Sequence, residues 1–190
     1  MRLDVVPIAA IAAAIAIAFG LVAPSDPPGP PIRLTDHTIP LDPPTDPGDG
    51  SLPDGNALSP SDVQNPAIGR LEPALLSAIQ SAATAAAADG ITMTITSGWR
   101  SVEFQQRLLD NAVRTYGSYD AARQYVQTPA MSKHVIGEAV DVGGVGADQW
   151  LIANGSRFGL CRIYANELWH FELATDAAGN CPALLPNAAG

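Results

Sequence analysis

Hydrophobic and polar positions divide this chain into three stretches. Val5 to Ala23 is apolar without a charge, Pro24 to Pro66 is poor in apolar residues, and from Ala67 onward they recur with the periods of regular structure. In the third stretch Leu71, Leu75, Ala78, Ile79 and Ala82 share helical spacing, Pro73 sits early enough for a first turn, and Asp89-Gly90 closes the element. Ile91 to Thr96 alternates apolar and polar residues, the period of a strand with one buried face, and Ser97-Gly98-Trp99-Arg100 follows as its turn. Phe104, Leu108, Leu109 and Val113 then line one face of a helix from Ser101 to about Tyr116. A shorter helix is expected from Tyr119 to Val126, ended by Thr128-Pro129, then a strand from Ala139 to Val142, a helix around Asp148 to Asn154 and a strand through Trp169 to Leu173. About three short strands among helices predict an α+β fold, a small antiparallel-containing sheet with flanking helices, and disfavour a doubly wound parallel sheet.

The other two stretches set the domain organisation. The apolar run in residues 1–23 is near the minimum for spanning a bilayer and long for a cleaved signal. Signal peptide and N-terminal membrane anchor both stay open, and either sends the rest of the chain across the membrane, as an exported protein of the envelope. Residues 24–66 hold twelve of the seventeen prolines, with Asp, Gly and Ser between them. Such a segment buries too little apolar area to offset its ordering entropy, so a Pro/Asp-rich disordered linker is expected, with His37 solvated inside it. Residues 67–186 are left as the folded domain.

Charge narrows the function classes. The net charge of −9 is concentrated in the linker, where seven Asp face one Arg, while the remainder from Ala67 carries eleven Asp and Glu against eight Lys and Arg. A nucleic-acid surface needs clustered positive charge, and none is present. Cys161 and Cys181 are the only cysteines, and in an exported chain such a distant pair reads as a disulfide, closing a loop worth roughly 3 kcal/mol.

Candidate chemistry lies in two segments. Ser132-Lys133-His134-Val135-Ile136-Gly137-Glu138-Ala139-Val140-Asp141 and Glu167-Leu168-Trp169-His170-Phe171-Glu172 contain two of the three histidines, each with carboxylates nearby. Imidazoles with a carboxylate suit a borderline cation such as zinc. His134 and Asp141 are seven apart and would face opposite sides of a straight strand, so Gly137 is expected to turn the chain between them. Glu167 is expected in the loop before the last strand, bent back towards the metal. In that strand Glu172 shares His170's face and competes, with Glu138, for the part of the reactive carboxylate. A serine hydrolase is disfavoured because Ser132 has no catalytic partner once His134 is used on metal.

The pattern Ser132-x-His134-x-x-Gly137-x-Ala139-x-Asp141, then Glu167-x-Trp169-His170, resembles the zinc D-alanyl-D-alanine peptidases of the M15 type, the VanY and VanX carboxypeptidase group that shares a metal site with hedgehog proteins. Ser97-Gly98-Trp99-Arg100-Ser101 with Gln105 resembles that family's substrate-binding segment, and the likeness runs from about Leu71 to Leu173. The resemblance implies a hedgehog/D-Ala-D-Ala peptidase-like fold with one zinc ion on His134, Asp141 and His170, Glu167 as general base, and Arg100 on an anionic oxygen. Gln105 and Ser132 are implied to contact the substrate carboxylate. The implied function is a monomeric D,D-carboxypeptidase trimming the terminal D-Ala of peptidoglycan stem peptides. Alternatives are an endopeptidase of the same fold or a non-catalytic zinc-containing wall-binding module.

Overall fold

The computed structural model describes residues 48–53 and 56–190. The expected signal or anchor at 1–23, and the linker up to residue 47, lie outside the described residues. Among those described, no helix is long and apolar enough to cross a membrane.

Helices and strands follow the predicted order with three additions. A one-turn helix, α1 (Pro66–Gly69), is started by Asn65, whose side chain accepts from the Ala67 amide. Helix α2 (Pro73–Ala88) has Pro73 in its first turn, where the missing N–H costs nothing. It buries Leu75, Ile79 and Ala82 of the predicted stripe and adds Ala86, while Ala78 is half-buried and Leu71 precedes the helix. Strand β1 (Thr94–Ser97) begins later than the alternation suggested. Helix α3 (Val102–Tyr116) is capped by the Ser101 hydroxyl on the Phe104 amide, a contact worth about 1 kcal/mol, and ends at Gly117 in the left-handed conformation. Helix α4 (Tyr119–Arg123) is shorter than expected. Strand β2 (Ala139–Gly143) and helix α5 (Ala147–Asn154) lie where predicted. A 3₁₀ turn at Gly155–Phe158 and a three-residue strand, β3 (Leu160–Arg162), were not foreseen. Strand β4 (His170–Leu173) completes the set.

The four strands make one sheet in the order β1-β2-β4-β3, with every neighbouring pair antiparallel. Successive side chains alternate faces, so Ile95, Val140, Val142 and Phe171 enter one core with Leu75 and Ile79 of α2 and Leu151 of α5. Each such large side chain contributes about 1.5–3 kcal/mol by leaving water. The odd-numbered residues of β2 are left for the opposite face. Cys161 and Cys181 form the expected disulfide, tying β3 to the C-terminal segment.

The structure differs from the expected linker at its C-terminal end. Asp49 is buried, Leu58 forms a β-bridge with Ile95, and Asn65 caps α1, so residues 48–53 and 56–66 pack on the domain. The chain also stays folded past residue 186. Ala188 is buried, its amide donates to the Gln124 carbonyl, and its carbonyl accepts from Gln127 Nε2 at 2.7 Å.

Candidate metal centre

The sheet brings three site residues into one row. Asp141 on β2 is the register partner of His170 on β4 and of Ser97 on β1. Ser97 reaches that row through an irregularity after Ile95 that sets two β1 residues against one on β2, as in a β-bulge. Across from Glu172, two residues beyond His170, stands Ala139, whose small side chain leaves room on the site face.

His134 comes from the turn before β2. Gly137 has φ of 75°, and a Cβ there would meet the Arg70 carbonyl at 2.6 Å, so glycine is needed to bring the chain round into β2. The His134 carbonyl accepts from the Arg100 and Gly137 amides, both at 3.1 Å.

His134 Nε2, His170 Nδ1 and Asp141 Oδ1 form a triangle with each edge 3.3 Å. The outer ring atoms set the tautomers. His134 Nδ1 lies 2.8 Å from the Gly98 carbonyl, a pure acceptor, so it carries the proton and Nε2 presents its lone pair. His170 Nε2 donates to Glu172 Oε1 at 2.9 Å, which turns Nδ1 inward. Three lone pairs thus meet at one point, repulsive unless something positive sits between them. Zinc with bonds of about 2.0–2.1 Å holds tetrahedral neighbours about 3.3–3.4 Å apart, so the donor set fits such an ion, with a fourth position left open.

Without a cation, a proton does that work. Burial opposes charge on His170, but hydrogen bonds to Asp141 and Glu172 and the charges of Asp141 and Glu167 outweigh it, raising its pKa to about 9. Burial pulls His134 the other way, with Arg100 adding to it, so that imidazole stays neutral. Burial also opposes the Asp141 carboxylate, yet His134, His170 and Arg100 hold its carboxyl well below the usual range.

Glu167 lies in the loop before β4, as expected, with Oε2 3.8 Å from His170 Nδ1. Its Oε1 is buried without a hydrogen-bond partner, which costs about 1–3 kcal/mol in a group that nothing else satisfies. Burial, with Asp141 and Glu172 adding to it against His170 and Arg100, raises its carboxyl to about 7. Of its competitors, Glu138 pairs with Lys133 at the surface and Glu172 holds His170, so among these three Glu167 is the one with a buried, partnerless oxygen.

Arg100 donates to Asp141 Oδ2 at 2.7 Å, to Ser97 Oγ at 2.8 Å and to Gln105 Oε1 at 3.1 Å. Three of its five N–H groups are used, leaving two. Gln105 is almost wholly buried and its amide nitrogen donates to the Gln127 carbonyl at 2.8 Å, so here it steadies Arg100. Ser132 is buried in the turn before His134. Two groups were missed by sequence reasoning. The Gly98 carbonyl could not be foreseen because any residue has one. The Tyr164 ring lies 5.0 Å from that of His170, tilted by 44°, with its phenol pushed up to about 12 by burial and then by Glu172 and Glu167, and a lone Tyr in a loop gave no signal.

A small antiparallel sheet presenting two imidazoles and one carboxylate, with a glutamate alongside, makes a group that could hold a metal ion. The chain belongs to the VanY D-alanyl-D-alanine carboxypeptidase family, whose model matches residues 69–174 and so spans every site residue named above. A D-alanyl-D-alanine carboxypeptidase of Enterococcus faecalis is 33% identical over 113 residues, 46% of this chain and 42% of that protein. The chain therefore spans less than half the length of that relative. Among solved structures, a vancomycin-resistance D,D-pentapeptidase VanY variant from a VanB-type cassette, in complex with Zn(II), shares 30% identity at TM-score 0.51, over 54% of this chain and 71% of that one. VanYB in complex with D-alanine-D-alanine shares 31% identity at TM-score 0.50, over 54% and 70%.

Proposed function

We propose that this domain is a zinc-dependent D,D-carboxypeptidase that removes the C-terminal D-Ala from peptidoglycan stem peptides. It works as a monomer on the outer side of the cytoplasmic membrane, to which the N-terminal segment delivers or anchors it. The observation that carries the reading is the 3.3 Å triangle of His134, Asp141 and His170 donors beside the partnerless Glu167 oxygen. Family membership and the likeness to a zinc-bound and a D-Ala-D-Ala-bound structure support it.

His134, Asp141 and His170 would hold the ion, which when bound supplies Lewis acidity to the scissile carbonyl and the attacking water. Glu167 takes the water's proton on Oε1 and passes it to the leaving amine. Arg100 is fixed by Asp141, Ser97 and Gln105, and offers its two remaining N–H groups to an anionic oxygen, the substrate's terminal carboxylate or the developing oxyanion. The Ser132 hydroxyl is a further donor to that carboxylate. An anion clamp of this kind favours exopeptidase action over cleavage inside a cross-link.

The test is to incubate the full chain and zinc with a pentapeptide stem ending in D-Ala-D-Ala and weigh the products. Loss of one alanine is expected, abolished by EDTA, restored by zinc and indifferent to penicillin. Internal cleavage would make it an endopeptidase, and an unchanged stem would leave a zinc-containing binding module.

A further inference from the structure

The loop Ser97–Ser101 supplies two things to the site, the Gly98 carbonyl that orients His134 and the Arg100 side chain that pairs with Asp141. Some of what holds this loop comes from outside the family match, which begins at residue 69. The Ser101 amide donates to the Asp49 carbonyl at 2.8 Å. The Asp49 side chain is buried, accepts from the Ser51 amide at 2.8 Å, and forms a salt bridge with Arg107 in the second turn of α3. The next residue, Gly50, has φ of 85° and lies so close to Trp99 that a Cβ would meet its carbonyl oxygen at 2.1 Å. Trp99 in turn donates its amide to the Ala67 carbonyl and stacks under the Arg70 guanidinium at 4.3 Å. Asp49, Gly50 and Ser51 thus belong to a strap that clamps the loop. A buried carboxylate in a segment this rich in proline and aspartate would be costly unless paired, and Arg107 with the Ser51 amide pairs it.

We propose that Asp49 is a positioning residue of the metal site: by locking the strap to α3 it fixes the Ser97–Ser101 loop, and through it the His134 ring and Arg100. It touches neither substrate nor metal ligand. The inference deepens the proposed function and rests on it for the identity of the cation and substrate. It also makes the strap part of the catalytic unit.

The experiment uses full-length Asp49→Asn, which keeps the bond to the Ser51 amide and weakens the pair with Arg107, and Asp49→Ala, which removes both. Three readouts are taken well below each melting temperature. The downfield imidazole N–H resonance of His134, held by Gly98, should exchange faster in both variants, with or without zinc. Zinc affinity by chelator competition should fall about tenfold in Asp49→Ala and less in Asp49→Asn, near the lower end of what loss of a ligand's supporting contact costs. The specificity constant for the stem peptide should fall about 10- to 100-fold, as expected for a small displacement of a binding group, and the preference for a free terminal carboxylate over its amide should shrink. Arg107→Ala should give the same pattern and add little to Asp49→Ala. Variants that melt earlier but match the wild type in resonance, zinc affinity and carboxylate preference would overturn the inference and leave Asp49 merely structural. A wild-type protein that ignores zinc and the peptide would instead overturn the function proposed above, while the His134 resonance still decides the role of Asp49.

Discussion

His170 and His134 are chemically the same ligand placed by two different means. His170 stands on β4 directly across from Asp141 on β2, so backbone pairing alone fixes their separation. Glu172 on the same strand face then sets its tautomer. His134 sits in a turn and is placed by Gly137, by amides of Arg100 and Gly137 on its carbonyl, and by the Gly98 carbonyl on its ring. Their electrostatics diverge accordingly. The strand ligand lies among carboxylates and gains a proton when no cation is present, whereas burial and Arg100 keep the turn ligand neutral. The sheet supplies precision from pairing, and the turns supply the remaining groups only through supporting contacts brought from other elements.

The comparison breaks most completely at Asp141, which serves both sides. Asp141→Ala should abolish stoichiometric zinc binding and strand Arg100 without its anion, costing about 3–5 kcal/mol of stability as for other broken buried pairs. Metal analysis after dialysis and urea denaturation of the metal-free protein check the two effects separately. Glu167→Gln leaves the triangle intact, so zinc should stay bound while kcat falls about 10²- to 10⁴-fold, the usual contribution of a general base. Retained turnover in that variant would remove Glu167 from the role. Glu172→Gln keeps a hydrogen-bond acceptor on His170 but removes its charge. Zinc affinity should drop, by at most the roughly 10- to 100-fold typical of such supporting groups, with kcat of the loaded enzyme little changed.

The smallest effect sharpens the contrast between the histidines. A proton on His170, with its pKa raised to about 9, competes with the metal, so apparent zinc affinity should weaken about tenfold for each unit the pH falls between 9 and 7 and level off above 9. His134, neutral in that range, should add nothing to the slope. Calorimetry in buffers of different ionisation enthalpy should accordingly find about one proton released per zinc from His170 at pH 7. A flat affinity over this range would show that His170 is not the ligand that takes up the proton.

Much of this was legible in residue order because it depends on local periodicity. The stripe of α2, the apolar face of α3, the turn at Gly137 and the alternation from His170 to Leu173 each follow from neighbours a few positions apart. The ligand set was legible for another reason: two histidines and their carboxylates sit in two short motifs, and a metal draws on few residue types. What stayed hidden depends on distant contacts. The three residues of β3 are too short to show a period and become a strand only by pairing with β4. Asp49 looked like one more acidic residue in a proline-rich linker, and its contacts with Arg107 and the Ser101 amide show that the folded domain reaches back to it. The bonds that join Gln105 to Arg100 and to the Gln127 carbonyl were also hidden, a network set by where α3 packs and not by its spacing from Arg100.

X-ray absorption at the zinc edge of the loaded full-length protein tests the central claim most directly. Two imidazole nitrogens with oxygen neighbours at about 2.0–2.1 Å and no sulfur are expected, and their scattering should collapse to hydrated ion in His170→Ala. Zinc that shows one imidazole or none, or that is unaffected by that substitution, would contradict it.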